Sequence, residues 1–183
     1  MNSRQQHHQY AGPDIVCATA LFVFLSLPAA FALQPGDKMP AFTVQAENSS
    51  ISSENIAGRA AIITYETKGT AEVNRRFKQA VLQRWRQADS TAPAIVPVIN
   101  CFSFFGFARS ICANRVAAVS KKENLIIYTD SDGAMFRDCK ITDDQSNIII
   151  LDKKGLVRFI HAGRLEDADV QAAVRLVERL LQD

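Results

Sequence analysis

Apolar residues in this chain fall into short runs and periodic stripes that set out strands and helices in alternation. Ala60–Thr67 (AAIITYET) and Ala94–Asn100 (AIVPVIN) are compact and rich in β-branched residues, as strands buried inside a sheet are. Between them Val73, Phe77, Val81 and Trp85 recur at every fourth position and predict an amphipathic helix over Thr70–Ala88. Pro97 has no N–H to give to a ladder and so places the second strand toward a sheet edge. A second helix is predicted over Arg109–Lys121, with Cys112, Val116 and Val119 on one face. Leu125–Thr129 then reads as a third strand, closed by Asp130-Ser131-Asp132-Gly133.

The flanks complete the pattern. Pro35–Phe42 is rich in turn-formers and leads to a short strand near Phe42–Gln45, after which Asn48–Gly58 is polar and predicts a loop. Downstream of a short segment through Cys139, Ile148–Asp152 and Leu156–His161 pair around Lys153-Lys154-Gly155, a hairpin in which glycine supplies positive φ. Val170, Val174, Val177 and Leu181 mark the buried stripe of a closing helix from Asp167, whose Asp167 and Asp169 suit a helix N-terminus. Strands joined through helices run parallel, and the hairpin adds an antiparallel pair. An α/β fold follows, a mixed sheet flanked by helices on both faces.

Residues 1–32 carry a different pattern. Ile15–Leu27 is uniformly apolar, Pro28 breaks it, and Ala30-Phe31-Ala32 has the small-x-small form of a secretory cleavage site. The run is short of the roughly 20 residues of a membrane span. Residues 1–32 are therefore expected to be a signal peptide and 33–183 one exported domain, located in the periplasm, with no membrane span after cleavage. The alternative is retention as an N-terminal anchor in the inner membrane.

Charge changes this picture little. The chain has 21 basic and 19 acidic residues, interspersed, so nothing supports nucleic-acid binding. Beyond the signal, His161 is the single histidine, and it does not combine with Cys101, Cys112 and Cys139 in any metal-ligand spacing, so neither metal nor cofactor is expected. An odd number of cysteines in an exported chain leaves at least one thiol unpaired within it.

The order of elements, the Gly36-Asp37-x-x-Pro40-x-Phe42 opening, the segment Ser146–Gly163 (SNIIILDKKGLVRFIHAG) and the final helix together resemble the thioredoxin-like superfamily. The resemblance implies a Cys-x-x-Cys pair at the junction of the first core strand and the first helix, and a cis-proline before the strand at Ile148–Leu151. Here the junction reads Glu66-Thr67-Lys68-Gly69-Thr70, without sulfur, and the proline position falls in Asp144-Gln145-Ser146-Asn147. With both hallmarks missing, the chain is most similar to the YtfJ-like periplasmic proteins.

In such a fold Glu66, Lys68, Asn100, Cys101, Gln145 and His161 converge at the pole where the parallel strands end, which is where α/β sheets bind ligands. Glu66, Asn100 and Gln145 are the candidate binding residues of that pole. Cys101 is the candidate catalytic thiol, with Lys68 and His161 as candidate partners for its thiolate. A Cys101–Cys112 disulfide depends on where the second helix begins: a start near Phe104 carries Cys112 too far from the pole, and a loop over Phe102–Ala108 allows the bond. Phe102, Phe104, Phe105 and Phe107 crowd one short link and predict some apolar exposure there. Two functions remain. One is a non-catalytic module that binds an envelope protein or a small ligand or maintains the envelope. The other is an atypical thiol–disulfide oxidoreductase using Cys101 with Cys112 or Cys139.

Overall fold

The computed structural model describes residues 33–85 and 91–183, so the expected signal peptide at 1–32 and the end of the first predicted helix lie outside the described residues. The chain forms β1 (Thr43–Gln45), β2 (Ser50–Ser52), β3 (Ala61–Glu66), α1 (Arg75–Trp85), β4 (Ala94–Asn100), α2 (Phe107–Glu123), β5 (Tyr128–Asp130), α3 (Ala134–Asp138), β6 (Asn147–Leu151), β7 (Val157–Ala162) and α4 (Asp167–Gln182). They build one sheet in the order β2-β1-β5-β4-β3-β6-β7. β3, β4 and β5 run parallel, β6 lies antiparallel to β3, β1 pairs antiparallel with β5, and β2 and β7 close the two sides in antiparallel pairings. Among the described residues no helix is long and apolar enough to cross a membrane.

The two faces of the sheet make two cores. Ile62, Ile148 and Ile150 meet Phe77 and Val81 of α1 and Val170, Ala173 and Val177 of α4. Ile63, Tyr65, Val96, Val98 and Ile149 face the other way, toward Phe42, Met135 and Cys139. β3 and β6 are buried along their whole length, as strands covered on both faces must be.

Three expectations need correction. Pro97 does not put β4 at an edge, since β4 lies between β3 and β5. β5 is so short that its pairing starts at Val98, which leaves β4 locally open at the proline. The loop expected at Asn48–Gly58 contains β2, hidden in the sequence because Ile51 is the lone apolar residue of a three-residue strand. α1 starts at Arg75 rather than Thr70. The Thr70 hydroxyl takes the Thr67 N–H at 2.9 Å, and the Asn74 amide bonds Gly163 and Leu165, so these residues form turns ahead of the helix.

The hairpin turn carries its own prediction. Asp152 accepts the Lys154 and Leu156 N–H groups at 2.9 Å each and the Arg158 guanidinium at 2.8 Å. Burial pushes its pKa up, but these donors outweigh burial and hold the carboxyl below its ordinary value. Stabilisation from a depressed carboxylate is complete above the unfolded value of about 3.9 and is lost as pH falls through the folded one. Asp152→Asn should therefore cost about 1.5–3 kcal/mol at neutral pH, with the deficit shrinking under acid conditions. Urea midpoints of both proteins across the acid range check this, and a deficit independent of pH would contradict it.

Candidate active site at the β4–α2 disulfide

β4 leaves the sheet through a tightly bonded turn. The Asn100 Oδ1 accepts the N–H groups of Phe102 and Ser103, and Cys101 and Phe102 donate theirs to the Asp130 carbonyl at 3.1 and 3.0 Å. The Phe102 ring then packs on Gly133, where a Cβ would sit 2.6 Å from it, and the guanidinium groups of Arg109 and Arg137 lie over it at 5.0 and 5.3 Å. Arg109 also donates to the Phe102 and Phe104 carbonyls. Residues 102–106 thus run out beyond β4 before α2 starts at Phe107.

That excursion settles the disulfide. α2 returns past the end of β4, so Cys112, well inside the helix, comes level with Cys101, and the two are bonded with their Cα atoms 5.7 Å apart. A start near Phe104 or near Cys112 were the cases the sequence posed; the helix starts between them. Cys101 is fully buried, whereas Cys112 is half-buried.

Cys112 stands in the wall of a cleft of about 690 Å³ between α1 and α2. Its floor is Ile95, Pro97 and Ile99 of β4, half-buried where the opposite-facing Val96 and Val98 are buried. Ile111, Val116 and Val119 continue the α2 wall, Phe104 of the preceding link adjoins it, and Lys68, Glu72, Arg75 and Arg115 also line the cleft. Phe105 and Phe107, which are not part of its lining, are 90% and 82% exposed. The apolar exposure expected of the phenylalanine link is thus mainly on Phe105 and Phe107, with Phe102 partly exposed.

The other sequence candidates have different surroundings. Glu66 is buried, and its carboxylate accepts the Lys78 ammonium at 2.7 Å and the Ser146 hydroxyl at 2.7 Å. Lys78 also donates to the Ala71 carbonyl. Asn100 is occupied by the turn, and the Gln145 carbonyl accepts from Thr70 and Asn147. In place of the proline, the Asn147 amide bonds Thr142 and Gln145, and its Oδ1 accepts the Thr142 N–H. Lys68 opens onto the cleft, as Cys112 does. His161 does not join them: β7 is three strands from β4, about 14 Å away at the usual strand spacing, and its Nε2 bonds the Arg164 carbonyl.

Cys139 is not the partner of Cys101. It is free and buried in the core on the other sheet face, where burial, followed by the nearby Asp138 and Asp130 carboxylates, pushes its thiol up to about 12. Among the described residues it should be the single alkylatable thiol of unreduced protein, and only after denaturation. Mass spectrometry of native and denatured alkylated samples tests this; rapid native labelling would contradict it.

A formed disulfide with one sulfur at an open cleft corrects the expectation of a non-catalytic module without a dithiol. The pole has a sulfur pair, moved from the N-terminus of α1 to the β4–α2 connection. The sequence pointed to Cys101 and Lys68 but not to the cleft itself, Arg115 or Ile111. In β4 the signal was faint, because Ile95, Pro97 and Ile99 are as apolar as their buried neighbours. In α2 the apolar residues are scattered among alanines around the helix.

Residues 49–180 match the family described as "Bacterial protein of unknown function (YtfJ_HI0045)". No curated protein matches the chain. Among solved structures, a putative thiol:disulfide interchange protein DsbE from Chlorobium tepidum is similar at 13% identity and TM-score 0.60, over 82% of this chain and 99% of that one. A putative protein disulfide isomerase from Bacteroides thetaiotaomicron is similar at 11% identity and TM-score 0.60, over 82% and 92%. An uncharacterized conserved protein from Geobacillus kaustophilus has 10% identity and TM-score 0.63, over 82% and 83%. At these identities the likeness is one of fold, and that fold is thioredoxin-like.

Proposed function

The chain belongs to the YtfJ_HI0045 family, and we propose that it is an exported thiol–disulfide oxidoreductase exchanging through Cys101–Cys112. The observation that carries this is the asymmetry of the pair: one sulfur buried under the β4 turn, the other half-buried in the wall of a cleft. Exchange requires a thiolate to reach one sulfur and the other to leave. A partner thiolate attacks the Cys112 sulfur, the Cys112–Cys101 bond breaks, and its electron pair goes to Cys101, which takes up a proton. A second thiol of the partner then attacks the mixed disulfide and releases Cys112. The partner dithiol is oxidised and the Cys101–Cys112 pair reduced, and the reverse sequence reduces a partner disulfide. Lys68 and Arg115 line the same cleft as Cys112 and bring positive charge to the side from which a partner thiolate approaches.

The test is a redox titration of the purified domain in glutathione and dithiothreitol buffers, read by mass after alkylation. An exchanging pair opens reversibly with a potential above about −300 mV, and a purely structural bond stays oxidised below it. The second outcome would overturn the proposal.

A further inference from the structure

The cleft extends well beyond what attack on one sulfur needs. Along α2, Cys112, Val116 and Val119 follow one another at successive turns, an apolar trough about 10 Å long at 1.5 Å per residue. α2 buries only Val116, leaving Ile111 and Val119 44% and 47% exposed over the half-buried Ile95 and Pro97. A small thiol reaching Cys112 would leave this trough uncovered.

The charges lining it are unequal. Glu66 is paired with Lys78 and Glu72 with Arg75, whereas Lys68 and Arg115 have no acidic partner among the described residues. Lys68 follows the carboxyl end of β3, and Arg115 lies one helical turn from Cys112, so both free cations stand toward the sulfur end. Glu123, the acid of the lining that has no cationic partner among the described residues, lies at the opposite end of α2.

Resting on the exchange reading above, we propose that the partner is an extended polypeptide segment whose cysteine is flanked by apolar side chains and a carboxylate. The apolar side chains lie on Ile95, Pro97, Val116 and Val119, the carboxylate meets Lys68 or Arg115, and the cysteine thiolate faces Cys112. Binding and attack are then coupled: covering the trough holds the thiolate in line with the bond to Cys101.

The test follows the opening of the disulfide in the oxidised domain by three single-cysteine peptides, with dithiothreitol as a reference thiol. One peptide carries leucines and an aspartate around the cysteine, one has serines for the leucines, and one has lysine for the aspartate. The leucine–aspartate peptide should react at least about tenfold faster than either of the others. Its advantage over the lysine peptide should shrink as salt is raised, because that part is electrostatic. In Val119→Asp the ratio of its rate to that of dithiothreitol should fall. Equal rates for the three peptides would overturn the inference and leave exchange at Cys112 standing. Failure of every thiol, dithiothreitol included, would instead remove the exchange reading on which it rests. A pseudo-first-order rate constant, at fixed excess of peptide, that changed with protein concentration would assign the cleft to a second copy of the chain and also overturn it.

Discussion

Replacing Cys101 and Cys112 together by alanine should lower the unfolding free energy by about 3 kcal/mol, the loop-closure entropy of a bond spanning 11 residues. The loss should be concentrated in α2. That helix buries one side chain, Val116, and is fixed at its far end by the Ser120 hydroxyl, which bonds Leu125 and Ile127, and by the left-handed Asn124 cap. At the pole end the disulfide is the covalent tie. Hydrogen exchange of the reduced protein should therefore lose protection over Phe107–Arg115 before it does in β3 or β6. A change below about 1 kcal/mol in urea unfolding, or uniform loss of protection, would mean that the bond does not hold the helix.

Glu66→Ala should cost still more, about 3–5 kcal/mol. The carboxylate is buried and joins Lys78 to Ser146, which in turn accepts from the Asn74 amide at 3.0 Å. Removing it leaves an ammonium, one-quarter exposed and bonded only to the Ala71 carbonyl, without its counter-charge, and a buried hydroxyl without its acceptor. The cost belongs to the broken pair rather than to the carboxylate alone. A double replacement by apolar residues of similar size, Glu66→Leu with Lys78→Met, should therefore recover much of the stability. Chemical denaturation of the three variants checks both statements. If Glu66→Ala were neutral, Glu66 would be free to serve as a binding group at the pole.

Glu66 illustrates what a sequence reveals about such a site. Alternation and run length placed β3, β4, β6, β7 and the closing helix, because those elements are set by burial, which leaves a direct trace in residue type. The convergence of strand ends followed from topology, so Glu66, Lys68, Asn100 and Cys101 could be assigned to the same pole. Which of them is committed to structure depends on side chains from distant segments. Glu66 is matched by Lys78 and Ser146, and Asn100 by the backbone of its own turn, and no local pattern reports either. His161 was misleading for the same reason, since a position near the pole does not measure distance across the sheet. The disulfide was undecidable from spacing, because it hinged on how far residues 102–106 travel before the helix turns back. The uncovered floor at Ile95, Pro97 and Ile99 leaves only a faint trace, as apolar residues read as buried.

The claim that Cys112 is the sulfur reached by a partner, with Cys101 the buried sulfur that leaves and returns, is tested most directly by separating the two. Cys101→Ala and Cys112→Ala each leave one thiol of the pair, and each can be mixed with an aromatic disulfide under native conditions. With Cys139 also replaced by alanine, any adduct reports that thiol alone. The Cys101→Ala protein should form a mixed disulfide at Cys112 readily, and the Cys112→Ala protein only slowly, as its remaining thiol is buried. Equal or faster reaction at Cys101, or no adduct on either, would contradict the account.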